Sequence, residues 1–267
     1  MNKIGLIAGS GRFPILFATQ AKKRGVDVVA IAVRGDTSPK LKGRVDKFFW
    51  LKISQFNKIS AIFKKEGISQ AVMAGQINPR RLFSKSSNFG PELESLLKNI
   101  KDKKADTIFG AIADKLKSEG VELISSLSFL SDYLPGKGVL TKKKPSEEEE
   151  KDIVFGLDMA KKIAGLDIGQ TIVVKERAVL AVEALEGTNI TIRRGGIIGR
   201  EGAIVIKVSK PQQDIRFDVP VVGITTIKNL IKAGISCLAI EAGKTLLLDR
   251  EKCIKLADKK GIIITTV

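Results

Sequence analysis

The sequence predicts an α/β protein of two domains, and three observations lead to this fold class. The first half alternates apolar runs of strand length with segments of helical spacing, which is typical of a parallel sheet with helical crossovers. Residues 134–150 then change composition sharply, because Pro, Gly and Lys give way to four consecutive Glu. The second half is richer in strand patterns. We therefore expect domains at 1–133 and 146–267, with a connection at 134–145.

The first domain is expected to begin with a β-α-β-α-β succession, which favours parallel strands joined by right-handed crossovers. A further amphipathic helix and one more strand follow. The predicted strands are Lys3–Ala8, Asp27–Val33, Gln70–Ala74 and Val121–Ser125, and the predicted helices are Phe13–Arg24, Gln55–Glu66 and Asp106–Ser118.

A glycine turn follows the first predicted strand, where Gly9, Ser10 and Gly11 lead directly into a helix. Backbone amides at such a turn can bind phosphate. Gln76 follows the third strand, and ligands of parallel sheets bind at the carboxyl ends of strands. We therefore expect these four residues to line one crevice with residues 78–81 (NPRR), unless Asn78 only caps a helix and the arginines are solvated.

The glycine spacing leaves a second enzyme class open. Gly5, Gly9 and Gly11 give GxxxGxG, which does not match the dinucleotide fingerprint but permits an NAD(P)-dependent oxidoreductase. A nucleotide-sugar or lipid-binding protein without catalytic activity is the other alternative.

The second domain is expected to begin with a helix from Ser146 to about Ala164, because acids after a Pro-Ser pair favour a helix start. Two more helices and six strands follow. The predicted strands are Gln170–Lys175, Val179–Ala184, Ala203–Ser209, Cys237–Ala242, Thr245–Leu248 and Ile262–Val267, and the helices are Thr225–Ala233 and Asp249–Lys260.

Two polar clusters stand out in the second domain. Glu183 and Glu186 lie three residues apart just past a predicted buried strand. In the segment SKPQQDIRFDVPVVG, two prolines bracket Asp214, Arg216 and Asp218, and an extended backbone would place these three side chains on one face. Two carboxylates beside an arginine suit metal or phosphate chemistry, although a salt-bridged, solvated edge explains them equally well.

The composition of the 267 residues excludes several kinds of site. There is no histidine, and the two cysteines have no motif around them, so we expect buried thiols and neither a disulfide framework nor a zinc site. The net charge of +17 suits an anionic substrate or membrane surface, and without a nucleic-acid-binding signature no nucleic-acid partner is expected. The N-terminus goes straight into a strand pattern, which predicts a cytoplasmic location.

Five stretches together resemble one family. They are LIAGSGRFP, GVLTKKKPSEEEEKDIVFGLDMAKKIAGLDIGQTIVV, VLAVEALEGTN, KPQQDIRFDVPVVG and AIEAGKTLLLDRE. The chain is similar over nearly its whole length to the UDP-2,3-diacylglucosamine pyrophosphatases of lipid A biosynthesis, in the form unrelated to the metallophosphoesterase that performs the same step.

The resemblance implies magnesium-dependent hydrolysis, with manganese as a substitute, of UDP-2,3-diacylglucosamine to UMP and 2,3-diacylglucosamine 1-phosphate. It implies a Rossmann-like first domain and a family-specific catalytic α/β domain. The partner would be an amphipathic nucleotide-lipid. Peripheral contact with the inner membrane surface and a homo-oligomer are both compatible with this assignment.

The resemblance also assigns roles to residues. Asp218 is the first choice for the essential carboxylate and Asp214 the second. Metal or water-positioning acids would be Glu183 and Glu186, with Asp218 and Glu183 as metal ligands. The proposed phosphate or sugar contacts are Thr188, Arg194, Lys210 and Gln213. Two positions depart from the family pattern, because Ser10 stands where a glycine is common and Asn189 where an aspartate is common.

Overall fold

The computed structural model describes residues 2–77 and 88–267. The chain divides into two compact units, the first comprising Met1–Ser131 with Asp214–Asp218 and the second comprising Asp132–Gln213 with Val219–Val267. The two-domain α/β fold class is therefore confirmed. No helix in the described ranges is both long and apolar enough to cross a membrane.

A five-stranded, wholly parallel sheet forms the centre of the first unit. Its order is β3-β2-β1-β4-β5, so the chain changes direction across the sheet between β1 and β4. The strands are β1 (Lys3–Ala8), β2 (Asp27–Val33), β3 (Lys47–Leu51), β4 (Gln70–Ala74) and β5 (Glu122–Leu123), and the helices are α1 (Phe13–Lys23), α2 (Lys58–Lys65), α3 (Pro91–Asn99) and α4 (Ala105–Ser118).

The second unit contains a six-stranded mixed sheet of order β6-β13-β11-β9-β7-β8 and a small parallel pair, β10 and β12. The strands are β6 (Gly138–Val139), β7 (Thr171–Lys175), β8 (Ala178–Val182), β9 (Ala203–Lys207), β10 (Val221–Val222), β11 (Ile235–Ile240), β12 (Leu246–Leu247) and β13 (Ile263–Thr266). The helices are α5 (Glu147–Gly165), α6 (Thr188–Gly199), α7 (Ile224–Lys232) and α8 (Arg250–Lys259).

Alternation along the central strands gives the second unit a three-layer core. Ile172 and Val174 of β7 pack on the same side as Ala160 of α5, whereas Val173 packs on the other side with Ile192 of α6. Helices therefore cover both faces of this sheet. Its central strands are apolar on both sides because both sides are buried.

The helix α5 begins where the sequence predicts. The Ser146 hydroxyl accepts from the Glu149 amide, and the Glu149 carboxylate accepts from the Ser146 amide, which is a reciprocal capping box. The expected connection at 134–145 lies within the second unit, where β6 pairs with β13 at the sheet edge. The two cysteines, Cys237 and Cys253, are buried.

Candidate active site

The carboxyl end of β9 gathers polar side chains in the second unit. β9 runs parallel to β11 and antiparallel to β7, so the end of β9 lies beside the start of β7, with Lys207 opposite Thr171. β8 ends at the same edge, because it is antiparallel to β7. Glu183 therefore follows β8 directly into this group, and its amide donates to the Thr171 carbonyl over 2.8 Å.

One carboxylate oxygen of Glu183 accepts a hydrogen bond, and the other accepts none. Its Oε1 accepts from the Thr188 hydroxyl at 2.8 Å, while its Oε2 is buried with no hydrogen-bond partner. The backbone of Glu183 is also tightly packed, since a Cβ on Gly169 would lie 2.0 Å from the Glu183 carbonyl oxygen. Of the carboxylates predicted as catalytic, Glu183 thus has a buried oxygen that lacks a hydrogen-bond partner, which is a place where a ligand would satisfy it.

Lys207 is a functional candidate that the sequence analysis missed. Its ammonium donates to the hydroxyls of Thr188 at 3.0 Å and Thr171 at 3.2 Å, and lies 3.9 Å from Glu183 Oε2. The side chain is only 8% exposed. The available signal was a lysine inside the apolar run AIVIKVS, which a strand buried on both faces can accept only with partners.

Glu186 and Arg194 are paired with each other. The Arg194 guanidinium donates to Glu186 Oε1 at 2.6 Å and to the Val182 carbonyl at 2.7 Å. The other Glu186 oxygen accepts from the Ala184 amide. This arrangement stabilises the turn between β8 and α6, and the catalytic role of Glu186 and the phosphate contact of Arg194 stay predictions.

Lys210 and Gln213 are likewise held locally. The Lys210 ammonium lies 2.6 Å from an Asp167 carboxylate oxygen, and Gln213 Oε1 accepts from the Lys210 amide at 2.6 Å. These contacts fix the start of the segment after β9. The substrate contacts predicted for both residues are not tested by this geometry.

Glu241 ties the ends of two neighbouring strands together. It follows β11, and its carboxylate accepts from Lys161 at 2.9 and 3.0 Å, from Lys244 at 2.6 Å and from the amide and hydroxyl of Ser209 at 2.9 and 2.7 Å. Burial alone would raise the pKa of Glu241, but the hydrogen bonds from Lys244, Ser209 and Lys161 outweigh burial and lower its pKa to about 2. The carboxylate is therefore anionic at any physiological pH.

The segment Asp214–Asp218 belongs to the first unit and forms a turn, so the extended backbone considered from the sequence does not occur. The Asp218 amide donates to the Asp214 carbonyl at 2.9 Å, which closes a turn. Arg216 donates to both Asp214 carboxylate oxygens, at 2.6 to 3.1 Å, and these bonds hold the pKa of Asp214 below its usual range. The Arg216–Asp214 ion pair thus forms within a turn and not along an extended strand.

The two apolar residues of this segment also separate. The Phe217 ring packs on Phe109 with centroids 5.6 Å apart and joins the hydrophobic core of the first unit, whereas Ile215 is 46% exposed. The Ile215 carbonyl accepts from both the amide and the hydroxyl of Ser126 at 3.0 Å. Asp218 is therefore held on a turn that is fastened to the first unit on both sides.

The glycine turn of the first unit is closed by backbone hydrogen bonds. The Ser10 amide and hydroxyl both donate to the Gln76 carbonyl at 2.8 Å, and the Gly9 amide donates to the Ala74 carbonyl. Gly75 has a φ of 87°, and a Cβ there would lie 2.4 Å from the Ser10 carbonyl oxygen, so only glycine permits this approach. The amides of Gly9 and Ser10 therefore bond to the neighbouring turn, while Gly11 faces open space. Residues 78–81 lie outside the described residues.

Both halves of the chain match domain models of one protein family. Residues 3–133 match the LpxI N-terminal domain and residues 136–265 match the LpxI C-terminal domain. The chain belongs to the LpxI family. A relative, the UDP-2,3-diacylglucosamine pyrophosphatase LpxI of Caulobacter vibrioides (strain ATCC 19089 / CIP 103742 / CB 15), is 33% identical over 279 residues, covering 100% of this chain and 98% of its own.

Two of the solved structures with some likeness are carboxylases. The biotin carboxylase domain of Hydrogenobacter thermophilus 2-oxoglutarate carboxylase, in complex with MgADP, ADP and bicarbonate, is 13% identical, with a TM-score of 0.28 over 66% of this chain and 35% of its own. Rhizobium etli pyruvate carboxylase T882A is 12% identical, with a TM-score of 0.29 over 67% and 16%. Scores this low carry no argument about LpxI chains.

Magnesium, which the resemblance to the LpxI family implies, requires oxygen ligands. Across residues 2–77 and 88–267, no group of three or more His, Cys, Asp or Glu side chains could hold a metal ion. Mg²⁺ commonly binds through only one or two carboxylates, however, with water and substrate phosphates completing its shell. The buried, unpartnered Oε2 of Glu183 fits one such ligand.

Proposed function

We propose that this LpxI-family chain hydrolyses the pyrophosphate bond of UDP-2,3-diacylglucosamine, giving UMP and 2,3-diacylglucosamine 1-phosphate in lipid A biosynthesis. The full-length relative that carries this activity in its name supports the substrate. The structural observation that carries the proposal is Glu183 Oε2, a buried carboxylate oxygen without a hydrogen-bond partner beside a buried lysine. Membership of the LpxI family removes the case for an oxidoreductase.

The chemistry can be divided among residues of the chain. When bound, Mg²⁺ would neutralise charge on the diphosphate and make water a better nucleophile. Glu183 would hold the cation, because Thr188 fixes its Oε1 and its Oε2 has no hydrogen-bond partner. We assign Asp218 as the essential carboxylate of the family element DVP, with its peptide amide fixed to the Asp214 carbonyl. Its ligation of the metal stays a prediction.

The first experiment asks which bond is cleaved. Purified full-length protein, incubated with UDP-2,3-diacylglucosamine and magnesium, is expected to release UMP and 2,3-diacylglucosamine 1-phosphate in equal amounts, measured by anion-exchange chromatography and mass spectrometry. Release of UDP would show that the glycosidic bond is the target. Recovery of intact, protein-bound substrate would instead favour the non-catalytic binding protein.

Metal removal gives a second test. EDTA is expected to abolish UMP release, and magnesium or manganese is expected to restore it, because hard cations prefer the oxygen ligands that this histidine-free chain offers. Zinc should restore little activity, since it favours nitrogen and sulfur ligands. Full UMP release in exhaustively chelated buffer would contradict the magnesium assignment while leaving the substrate assignment intact.

A further inference from the structure

Lys207 is a buried cation at the positive end of a helix. It is the last residue of β9, and its ammonium lies 3.0 Å from the hydroxyl of Thr188, the first residue of α6. The preceding residue, Gly187, supplies no side-chain cap to this helix. The first amides of a helix have no acceptor within the helix and concentrate positive charge there.

The ammonium of Lys207 is paired with an anion only over a long distance, 3.9 Å to Glu183 Oε2. A lysine near a helix N-terminus is unfavourable, and burial increases the cost of an incompletely paired ammonium. The two hydrogen-bond acceptors of Lys207 are neutral hydroxyls, those of Thr171 and Thr188. The nearby anion, Glu183 Oε2, lies at 3.9 Å, too far for a hydrogen bond, and makes none elsewhere.

We propose that Lys207 and the first amides of α6 form the subsite for one phosphate group of a nucleoside diphosphate, with the Thr188 hydroxyl positioning the ammonium of Lys207. The identity of that ligand as the UDP portion of the substrate rests on the proposed function. Thr171 is fully buried and acts as a positioning residue, because its hydroxyl fixes the ammonium of Lys207.

The chemistry of a phosphate complements this group. A phosphate oxygen can accept from the ammonium and from helix amides at once, while the Thr188 hydroxyl, which donates its proton to Glu183 Oε1, holds the ammonium in place. The diphosphate would repel the Glu183 carboxylate, and a divalent cation on Glu183 Oε2 would remove that repulsion. The subsite therefore predicts that magnesium increases the affinity for UDP through Glu183.

The test measures binding rather than turnover. Isothermal titration calorimetry of the full chain with UDP and with uridine, with and without magnesium, is compared for wild type, Lys207→Met and Lys175→Met. Lys175 is the matched control, because it lies at the opposite end of β7, where its ammonium donates to the carbonyls of Gly199 and Glu201 at 3.1 and 3.0 Å. Circular dichroism and thermal melting establish that each variant is folded.

Lys207→Met is expected to weaken UDP binding by about 10- to 100-fold, as expected for losing a charge-assisted hydrogen bond, and to leave uridine binding unchanged. Lys175→Met should bind UDP within about threefold of wild type. If Lys207→Met melts early but binds UDP like wild type, the lysine is structural and the subsite is wrong. Failure of wild type to bind UDP with magnesium also overturns it.

Thr188→Val keeps the inference testable if Lys207→Met does not fold. It removes the hydroxyl with little change of shape, and weaker UDP binding with unchanged uridine binding is the expected result. Wild-type UDP affinity in Thr188→Val would overturn the subsite. If UDP binding depends on Lys207 but no UMP is released, the subsite stands and the hydrolase assignment is contradicted. If Lys207→Met binds UDP normally and UMP is released, the hydrolase assignment stands and the subsite is contradicted.

Discussion

The two larger sheets of this chain differ in what joins the ends of neighbouring strands. In the first unit, the turns after β1 and β4 bond to each other through the backbone amides and carbonyls of Ser10 and Gln76. In the second unit, the end of β9 brings Lys207 and Glu183 to within 3.9 Å without a hydrogen bond between them. The backbone bonds of the first unit engage the Gly9 and Ser10 amides, which could otherwise bind an anion. In the second unit, Lys207 and Glu183 are held apart at the proposed phosphate subsite.

This difference shows that a glycine-rich turn is not by itself a phosphate site. Gly9 and Gly75 serve close approach between two turns, and the Gly9 and Ser10 amides are engaged there. The charged segment Asp214–Asp218 complicates the comparison, because it supplies an arginine–carboxylate pair to the first unit from a later part of the sequence. Substitutions at these places measure how far the comparison holds.

Asp218→Ala is expected to have the largest effect. Loss of a carboxylate that acts in the transition state should lower kcat by roughly 10²- to 10⁴-fold with substrate binding largely retained. Asp214→Asn is the matched comparison, because Asp214 is bound to Arg216 and its loss should mainly lower the melting temperature. A folded Asp218→Ala protein with kcat within about threefold of wild type, under ~0.7 kcal/mol of barrier, would remove Asp218 from catalysis.

Glu183→Gln should come next, with kcat lowered by about 10²-fold, because the amide keeps the shape but loses the charge that would hold a cation. Mn²⁺ binding, followed by electron paramagnetic resonance with UDP present, should weaken in parallel. Glu201→Gln is a control on an exposed acid that follows α6. Unchanged Mn²⁺ binding in Glu183→Gln would place the metal elsewhere.

Glu241→Gln should mainly reduce stability, by about 1–3 kcal/mol at pH 7, since hydrogen bonds to a charged group are lost. The pKa of Glu241 is lowered from 4.5 to about 2 in the folded protein. Its contribution is therefore fully present above pH 4.5 and is lost as the pH falls toward 2. Urea unfolding at pH 7 and pH 3 should show the gap between variant and wild type narrowing at the lower pH, and a constant gap would exclude the charge as its cause.

Ser10→Ala should have the smallest effect. The hydroxyl hydrogen bond to the Gln76 carbonyl is lost, but the backbone pair between the two residues remains. We expect KM to rise by no more than about threefold, which is within about 0.7 kcal/mol. A tenfold or greater rise in KM, without a change in melting temperature, would show that the turn of the first unit contacts substrate and would break the comparison.

Continuous apolar runs predicted most of the strands, because burial on both sheet faces makes nearly every position of a strand apolar. β1, β2 and β9 follow such runs, and a capping box marked the start of α5. β3 was missed because this edge strand, KFFWL, is short and only half-buried.

The candidate site was predicted only in part. Glu183 and Thr188 were both named as site candidates, and a hydrogen bond joins them in the structure, while their roles stay predictions. Lys207 was missed because the apolar run around it indicates burial but not the partners of the ammonium, Thr171 and Thr188, which come from other elements. The turn at Asp214–Asp218 was not predicted because the backbone bond from the Asp218 amide to the Asp214 carbonyl leaves no mark on side-chain periodicity.

The assignment of Asp214–Asp218 to the first unit has a consequence for synthesis on the ribosome. Phe217 contributes to the first core and Ile215 accepts hydrogen bonds from Ser126, yet both are translated after β9 of the second unit. The amino-terminal half therefore emerges first but waits for a late segment to complete it. A nascent chain stalled before Asp214 should be more susceptible to protease in its first unit than one stalled after the second unit is complete.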